Sequence, residues 1–194
     1  MGFVVWSALI VVALVGPAAA AAAPAAREPF GRAHVQLMAR AQKAKRPATM
    51  ADVYLWAEGA RLRAVVVGDP EGAQFWIDGL ALDPVRLVKG QVQPARTRTL
   101  ARGVELALIA STDSANHQND RVAGKPCKVV VDQLKGGYTM RRCMWRGLPL
   151  SVELNGPGFD FNAAATLVEE RVSLADLQPP QGAAGSPRVL NAAR

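Results

Sequence analysis

The sequence predicts an α+β domain built on a curved antiparallel sheet with one or two helices. About eight short segments are rich in alternating or β-branched apolar residues and are separated by turn residues, which is typical of a meander of strands. One mid-chain segment has helical spacing instead. Half of the 194 residues are apolar, which suffices for a buried core and argues against a disordered chain. The length predicts one domain.

The first 26 residues have the layout of a secretory signal peptide. An apolar run extends from Phe3 to Val15, Gly16-Pro17 ends it, and small residues suited to cleavage follow. No Lys or Arg precedes the run, so an uncleaved membrane anchor is the competing interpretation, although about 20 apolar residues are needed to span a bilayer. We therefore expect residues 1–26 to be a signal peptide and the protein to be periplasmic or secreted.

Residues 27–177 are expected to form the sheet domain. Its first strand shows strict alternation, with Ala33, Val35 and Leu37 on one face and His34 and Gln36 on the other. Four more strands are predicted before the helix, at residues 52–57, 61–67, 74–77 and 85–88.

Residues 99–110 are the helix candidate because Leu100, Val104 and Leu108 recur near helical spacing, although Gly103 weakens the prediction. A polar loop at 111–120 and strands at 127–132, 138–145 and 148–154 are predicted to follow. Residues 162–172 are compatible with either a strand or a helix. Residues 178–194 are rich in Pro, Gly, Ala and Ser and are expected to be a disordered tail.

Cys127 and Cys143 are the two cysteines, and an exported protein would pair them in a disulfide. If they lie directly opposite each other in a hairpin, the turn is centred on Lys135 and the loop is residues 134–136. Such a bond stabilises by about 3 kcal/mol in the chain-entropy model. We expect a structural role because the Cys-x-x-Cys spacing of redox sites is absent.

Several phrases resemble secreted members of the LolA/LolB-like periplasmic lipoprotein-carrier superfamily. They are Tyr54-Leu55-Trp56-Ala57-Glu58-Gly59 leading to Arg61-Leu62-Arg63, then Val122-Ala123-Gly124-Lys125-Pro126-Cys127, then Cys143-Met144-Trp145-Arg146-Gly147-Leu148-Pro149-Leu150, and finally Val168-Glu169-Glu170. The resemblance implies a half-open β-barrel whose concave apolar face is covered by helices and holds acyl chains. The carrier's basic residue and Arg-Pro at the end of the second strand are replaced here by Ala57-Glu58-Gly59-Ala60, which puts its lid mechanism in doubt.

Signatures of an enzyme are missing, so we expect a protein without catalytic residues, cofactor or metal. The two histidines, His34 and His117, have no evident third ligand. No Gly-x-Ser-x-Gly elbow occurs, and Gly124-Lys125 fails the spacing of a phosphate-binding loop. The net charge of +7 favours anionic partners, but the basic residues are scattered, so nucleic acid is not expected.

The candidate ligand contacts are large apolar side chains of the predicted concave face, with two arginines as head-group candidates. The apolar candidates are Leu37, Leu55, Trp56, Leu62, Trp76, Met144 and Trp145, and the head-group candidates are Arg61 and Arg63. The alternative interpretation is ordinary core for the apolar set and solvated strand positions for the arginines.

Two functional hypotheses follow, both without catalysis. The first is a periplasmic carrier or sensor that holds lipids or lipoprotein acyl chains in an apolar hollow. The second is a structural or adaptor domain of the cell envelope, with a filled core, an exposed apolar patch or sheet edge, and a protein partner. Contact with a membrane is expected only at its periphery or through an uncleaved signal segment.

Overall fold

The computed structural model describes residues 29–69, 73–78, 81–88, 91–94, 99–109, 118–178 and 188–189. The predicted signal peptide lies outside the described residues, as does most of the predicted tail. The described part confirms the predicted class: a curved antiparallel sheet that does not close into a barrel, with the single α-helix α1.

Twelve strands form the described sheet. Their bounds are β1 Phe30–Lys43, β2 Thr49–Gly59, β3 Arg61–Val67, β4 Ala73–Asp78, β5 Ala81–Val88, β6 Gln91–Pro94, β7 Gln118–Val122, β8 Lys125–Leu134, β9 Tyr138–Trp145, β10 Leu148–Gly156, β11 Phe159–Glu169 and β12 Arg188–Val189. The order across the sheet is β12-β5-β4-β3-β2-β1-β11-β10-β9-β8-β7, and β6 pairs with β5. Strands β1 and β11 pair with each other at the centre of the sheet. The first and last long strands of the domain are therefore neighbours.

The helix α1 spans Thr99–Ile109 and a 3₁₀ helix spans Leu174–Leu177. Among the described residues, no helix has the length and apolarity needed to cross a membrane. Residues 162–172, which the sequence left open between strand and helix, belong mainly to β11. Strand β7 falls partly in the predicted polar loop, since its sequence Gln-Asn-Asp-Arg-Val carries no apolar alternation.

Alternation along the central strands gives the sheet two distinct faces. The inner face carries Val35, Leu37 and Ala39 of β1, which are fully or almost fully buried, and α1 packs on it. The outer face, which we define as the opposite side of β11, β1, β2, β3 and β4, carries His34 and Trp56 among others.

The disulfide Cys127–Cys143 is present, but the register around it differs from the prediction. Leu134 pairs with Tyr138, so the hairpin loop is residues 135–137 and Cys143 faces Val129 instead of Cys127. The bond therefore joins diagonal neighbours whose Cα atoms are 5.4 Å apart. Gly136 and Gly137 both have positive φ, 84° and 76°, which lets the turn start one residue later than expected.

The chain after β11 crosses the outer face. Arg32 Nη2 donates a hydrogen bond to the main-chain oxygen of Val172 over 2.8 Å. The 3₁₀ helix then packs on β2 and β3 and buries Leu177. Ser173 caps this helix, since its Oγ accepts from the main-chain nitrogen of Ala175.

Candidate binding site

The helix α1 packs on the concave side of the sheet, against β1, β2, β10 and β11. A cavity remains between the helix and the sheet, with a volume of about 20 Å³, close to the space that one water molecule occupies. Its lining is entirely apolar: Leu37, Val53, Leu55, Val104, Ala107, Leu108, Pro149, Val152, Phe161 and Ala163. This cavity, between α1 and the described strands β1, β2, β10 and β11, is too small for an acyl chain.

A close approach of α1 to β11 explains how the helix fits. Gly103 faces the ring of Phe161, and a Cβ placed on this glycine would lie 2.2 Å from Cδ2 of the ring. Glycine at position 103 lowers the helix propensity, but the close contact with Phe161 requires a residue without a Cβ. Phe161 is itself buried, so the ring has little freedom to move away.

A buried arginine fastens the other end of α1 to the sheet. Arg142 of β9 is fully buried, and its Nη2 pairs with Oδ2 of Asp132 in β8 at 2.6 Å. Its Nη1 donates to the main-chain oxygen of Ala107 over 3.1 Å. That carbonyl lies in the last turn of α1, where the helix itself leaves oxygens without partners. Arg142 was not predicted as a site residue, although it lies two residues from Met140 and therefore on the same face of β9 as that apolar side chain.

A row of stacked side chains runs across the outer face through four neighbouring strands. His34, Trp56, Arg63 and Trp76 occupy directly paired positions on β1 to β4. The His34 and Trp56 rings stack with centroids 5.2 Å apart. The Arg63 guanidinium carbon lies 5.3 Å from the ring centroids of both Trp56 and Trp76, a cation–π sandwich. Oε2 of Glu169 lies 3.2 Å from Nδ1 of His34 at the end of the row.

The polar partners of this row are sparse. Arg63 donates to the main-chain oxygen of Asp176 and to Oε1 of Gln74, over 3.4 and 3.3 Å. Burial lowers the pKa of Arg63, and the Asp176 carboxylate partly opposes that shift. Within the described chain, His34 Nε2, Arg63 Nε and Trp76 Nε1 are buried without a hydrogen-bond partner.

A second cationic–aromatic group surrounds Trp145. Lys125 Nζ lies 5.4 Å and the Arg146 guanidinium carbon 4.9 Å from the ring centroid of this tryptophan. Both cations also pair with Glu170, at 2.6 and 3.0 Å. The hydrogen bond and charge of Lys125, together with the charge of Arg146, lower the pKa of the Glu170 carboxyl.

The structure distributes the predicted contact residues over several places. Leu37 and Leu55 line the small cavity, and Leu62 belongs to the same core. Trp56 and Trp76 lie on the outer face with Arg63, because neighbouring residues of a strand point to opposite sides. Trp145 is buried beneath its cations, Met144 is half-buried opposite Pro149, and Arg61 is exposed. As contacts to a ligand, these residues stay predictions.

Metal binding has no candidate in the described part of the chain, where no three His, Cys, Asp or Glu side chains come together as a possible ligand set. His34 contacts Glu169 and two aromatic rings, and His117 lies outside the described residues.

No protein-family model and no curated protein matches this chain. Among solved structures it is similar to the Pseudomonas aeruginosa MucA/MucB complex, with 17% identity and a TM-score of 0.41 over 81% of this chain and 58% of that one. It is also similar to a LolA superfamily protein from Nitrosomonas europaea, with 9% identity and a TM-score of 0.38 over 79% and 92% of the two chains. A structure of MucB in complex with MucA(peri) matches with 17% identity, a TM-score of 0.38, and coverage of 81% and 56%. The chain thus spans less than two thirds of the length of the matched chain in both MucA/MucB structures.

Proposed function

We propose that this chain is an exported binding protein of the cell envelope that acts as an adaptor, binding a protein partner through its outer surface and catalysing no reaction. The observation that carries this proposal is the filled hollow. Pockets that hold small molecules typically measure about 300 to 1,000 Å³, whereas the cavity under α1 measures about 20 Å³.

The outer surface offers what a protein partner requires. Leu167 and Leu174 are large apolar side chains exposed by 41% and 65%. Leu167 lies two residues from Glu169 on β11, and Leu174 begins the 3₁₀ helix that covers the stacked row.

The disulfide supports export. A bond between Cys127 and Cys143 persists in oxidising compartments, and the reducing cytosol disfavours it. This agrees with the apolar amino-terminal run and with a periplasmic or secreted location.

A second candidate function is a carrier of lipids or lipoprotein acyl chains, with α1 as a displaceable cover. The observation that favours it is the uniform lining of the cavity, which contains apolar side chains from β1, β2, β10, β11 and α1. Displacing the helix would uncover a continuous apolar hollow, at the cost of the Arg142–Ala107 hydrogen bond.

Site-specific photo-crosslinking in the periplasm tests the adaptor proposal. A photoreactive amino acid at Leu174 is expected to give one protein adduct, and the same group at Lys135, on the distant β8–β9 hairpin, is expected to give none. The purified partner should then bind the native chain and lose affinity for a Leu167→Asp, Leu174→Asp variant. Equal binding by that variant would exclude this surface as the partner's binding site.

Titration with a fluorescent fatty acid tests the carrier function, and saturable binding at one equivalent would favour the carrier over the adaptor.

A further inference from the structure

The connection between β1 and β2 carries a cluster of cations. Arg40 near the end of β1, and Lys43, Lys45 and Arg46 at the turn, are all exposed. None of the four forms an ion pair with a carboxylate of the described residues, and Arg40 Nη2 donates only to Oε1 of Gln42, over 2.8 Å. By contrast, the buried Arg142 and the half-buried Lys125 of the sheet each pair with a carboxylate. The cluster, which we call the basic tip, is thus free to bind external anions.

The basic tip is a defined structure. The main-chain nitrogen of Arg46 donates to the oxygen of Lys43 over 2.9 Å, which closes the turn. The main-chain nitrogen of Ala44 donates to the oxygen of Gly158 over 2.9 Å, which fixes the turn to the neighbouring β10–β11 connection. Lys43, Lys45 and Arg46 therefore project from a held turn beside Arg40 of β1, and ordering them against a surface costs little backbone entropy.

Exposed methionines lie beside Arg40 on the outer face, next to the turn that carries the other three cations. Met50 pairs directly with Arg40 across β1 and β2, and Met38 is two residues from Arg40 on the same face. Each methionine is 53% exposed. Val67, opposite Asp52 on β3, extends the apolar strip and is 50% exposed. Three carboxylates lie close to this group: Asp52, Asp160, whose register partner is Gln42, and Asp69, which follows β3 beside Met50 and accepts a hydrogen bond from the main-chain nitrogen of Ala73. The four cations still outnumber them.

We propose that the basic tip and its methionines dock this protein on an anionic phospholipid membrane surface. Clustered Lys and Arg side chains attract acidic head groups, and flexible apolar side chains beside them insert at the interface. A nucleic acid would meet the cations but gain nothing from Met38 and Met50. The net charge of +7 adds long-range attraction to an acidic bilayer. This inference goes beyond the adaptor function, since it gives the place at which the adaptor would work.

Vesicle sedimentation tests the proposal, with the native chain as exported and purified from the periplasm. The probes are vesicles of phosphatidylcholine alone and of phosphatidylcholine mixed equally with phosphatidylglycerol. We expect binding to the mixed vesicles, lost as salt is raised, and none to the neutral ones. The Lys43→Glu, Lys45→Glu, Arg46→Glu variant should bind at least about 100-fold more weakly, since each basic residue near an acidic surface contributes roughly a factor of five and the new carboxylates are repelled.

The matched control reverses three exposed cations away from the tip, Arg121→Glu, Lys128→Glu, Arg171→Glu, and has the same net charge. It should bind within about threefold of the native chain, because only the long-range attraction is lost. Equal losses in the two triple variants, or no binding of the native chain to the mixed vesicles, would overturn the proposal. A Met38→Ser, Met50→Ser variant should bind less tightly at high salt, and unchanged binding would overturn the role of the methionines.

Discussion

Arg142 Nη1 in β9 donates a hydrogen bond to the main-chain oxygen of Ala107 in α1, over 3.1 Å. The bond links a fully buried cation of the sheet to a carbonyl that the last helical turn leaves without a partner. Because the helix end also carries partial negative charge, the guanidinium stabilises it electrostatically. The relationship makes α1 an integral part of the domain, which is why the filled hollow matters for function.

Replacing Arg142 by Met should lower the free energy of unfolding by about 3 to 5 kcal/mol, since it leaves a nearly buried Asp132 carboxylate without this cation. Guanidinium denaturation measures the change. A second substitution, Asp132→Leu, should restore part of the loss by removing that carboxylate. An Arg142→Met variant with a native midpoint would show that the pair does not hold the helix.

Gly103→Ala should destabilise the protein even though alanine is the better helix former by about 1 kcal/mol. The added Cβ would overlap the Phe161 ring, and overpacking of this kind costs about 1 to 3 kcal/mol or more. Adding Phe161→Ala should make the double variant lose less than the sum of the single losses, with a coupling of about 1 kcal/mol or more. Additive losses in urea denaturation would contradict the contact.

The sequence predicted the fold better than the site, and particular residues show why. Strict alternation identified β1, and β3 was predicted at its observed bounds, Arg61–Val67, because burial on one face repeats every second residue. Strand β7 is polar except for Val122 and has no such pattern, so only pairing with β8 reveals it. The hairpin register was wrong because two adjacent glycines allow the turn to start at either of two positions.

The site was harder because residues adjacent in sequence face opposite ways. Leu55 and Trp56 were grouped as one apolar set, yet Leu55 lines the cavity and Trp56 stacks with His34 on the other side. Whether the hollow is filled depends on how deeply α1 sits, and that depth depends on the contact of Gly103 with Phe161. Nothing in the local sequence of either residue gives that contact.

Replacing both cysteines, Cys127→Ala with Cys143→Ala, should lower the free energy of unfolding by about 3 kcal/mol, because the unfolded chain regains the freedom of a loop with 16 residues of separation. Denaturation with and without a reducing agent measures this. The reductant should weaken the native chain and leave the double variant unchanged. A native chain insensitive to complete reduction would contradict the stabilising role.

The pKa of Glu170 is lowered by Lys125 and Arg146, which gives a pH-dependent prediction. A carboxyl with a lowered folded-state pKa stabilises above its unfolded pKa, and the contribution is lost as pH falls through the folded value. The stability difference between the native chain and Glu170→Gln should therefore be constant near neutral pH and shrink below the ordinary carboxyl range. Carboxyl NMR titration should show the Glu170 pKa rising in Lys125→Gln. A Glu170 pKa that stays the same in Lys125→Gln would show that Lys125 is not the cause of the lowered value.

Native mass spectrometry of the protein, purified gently from periplasm and followed by organic extraction and lipid analysis, tests the central claim most directly. A hollow filled by α1 predicts the mass of the chain alone, with no acyl ligand in the extract and none taken up from added lipid. A stoichiometric acyl-chain ligand would contradict the account, because it would show that α1 leaves the hollow and that the carrier function is the correct one.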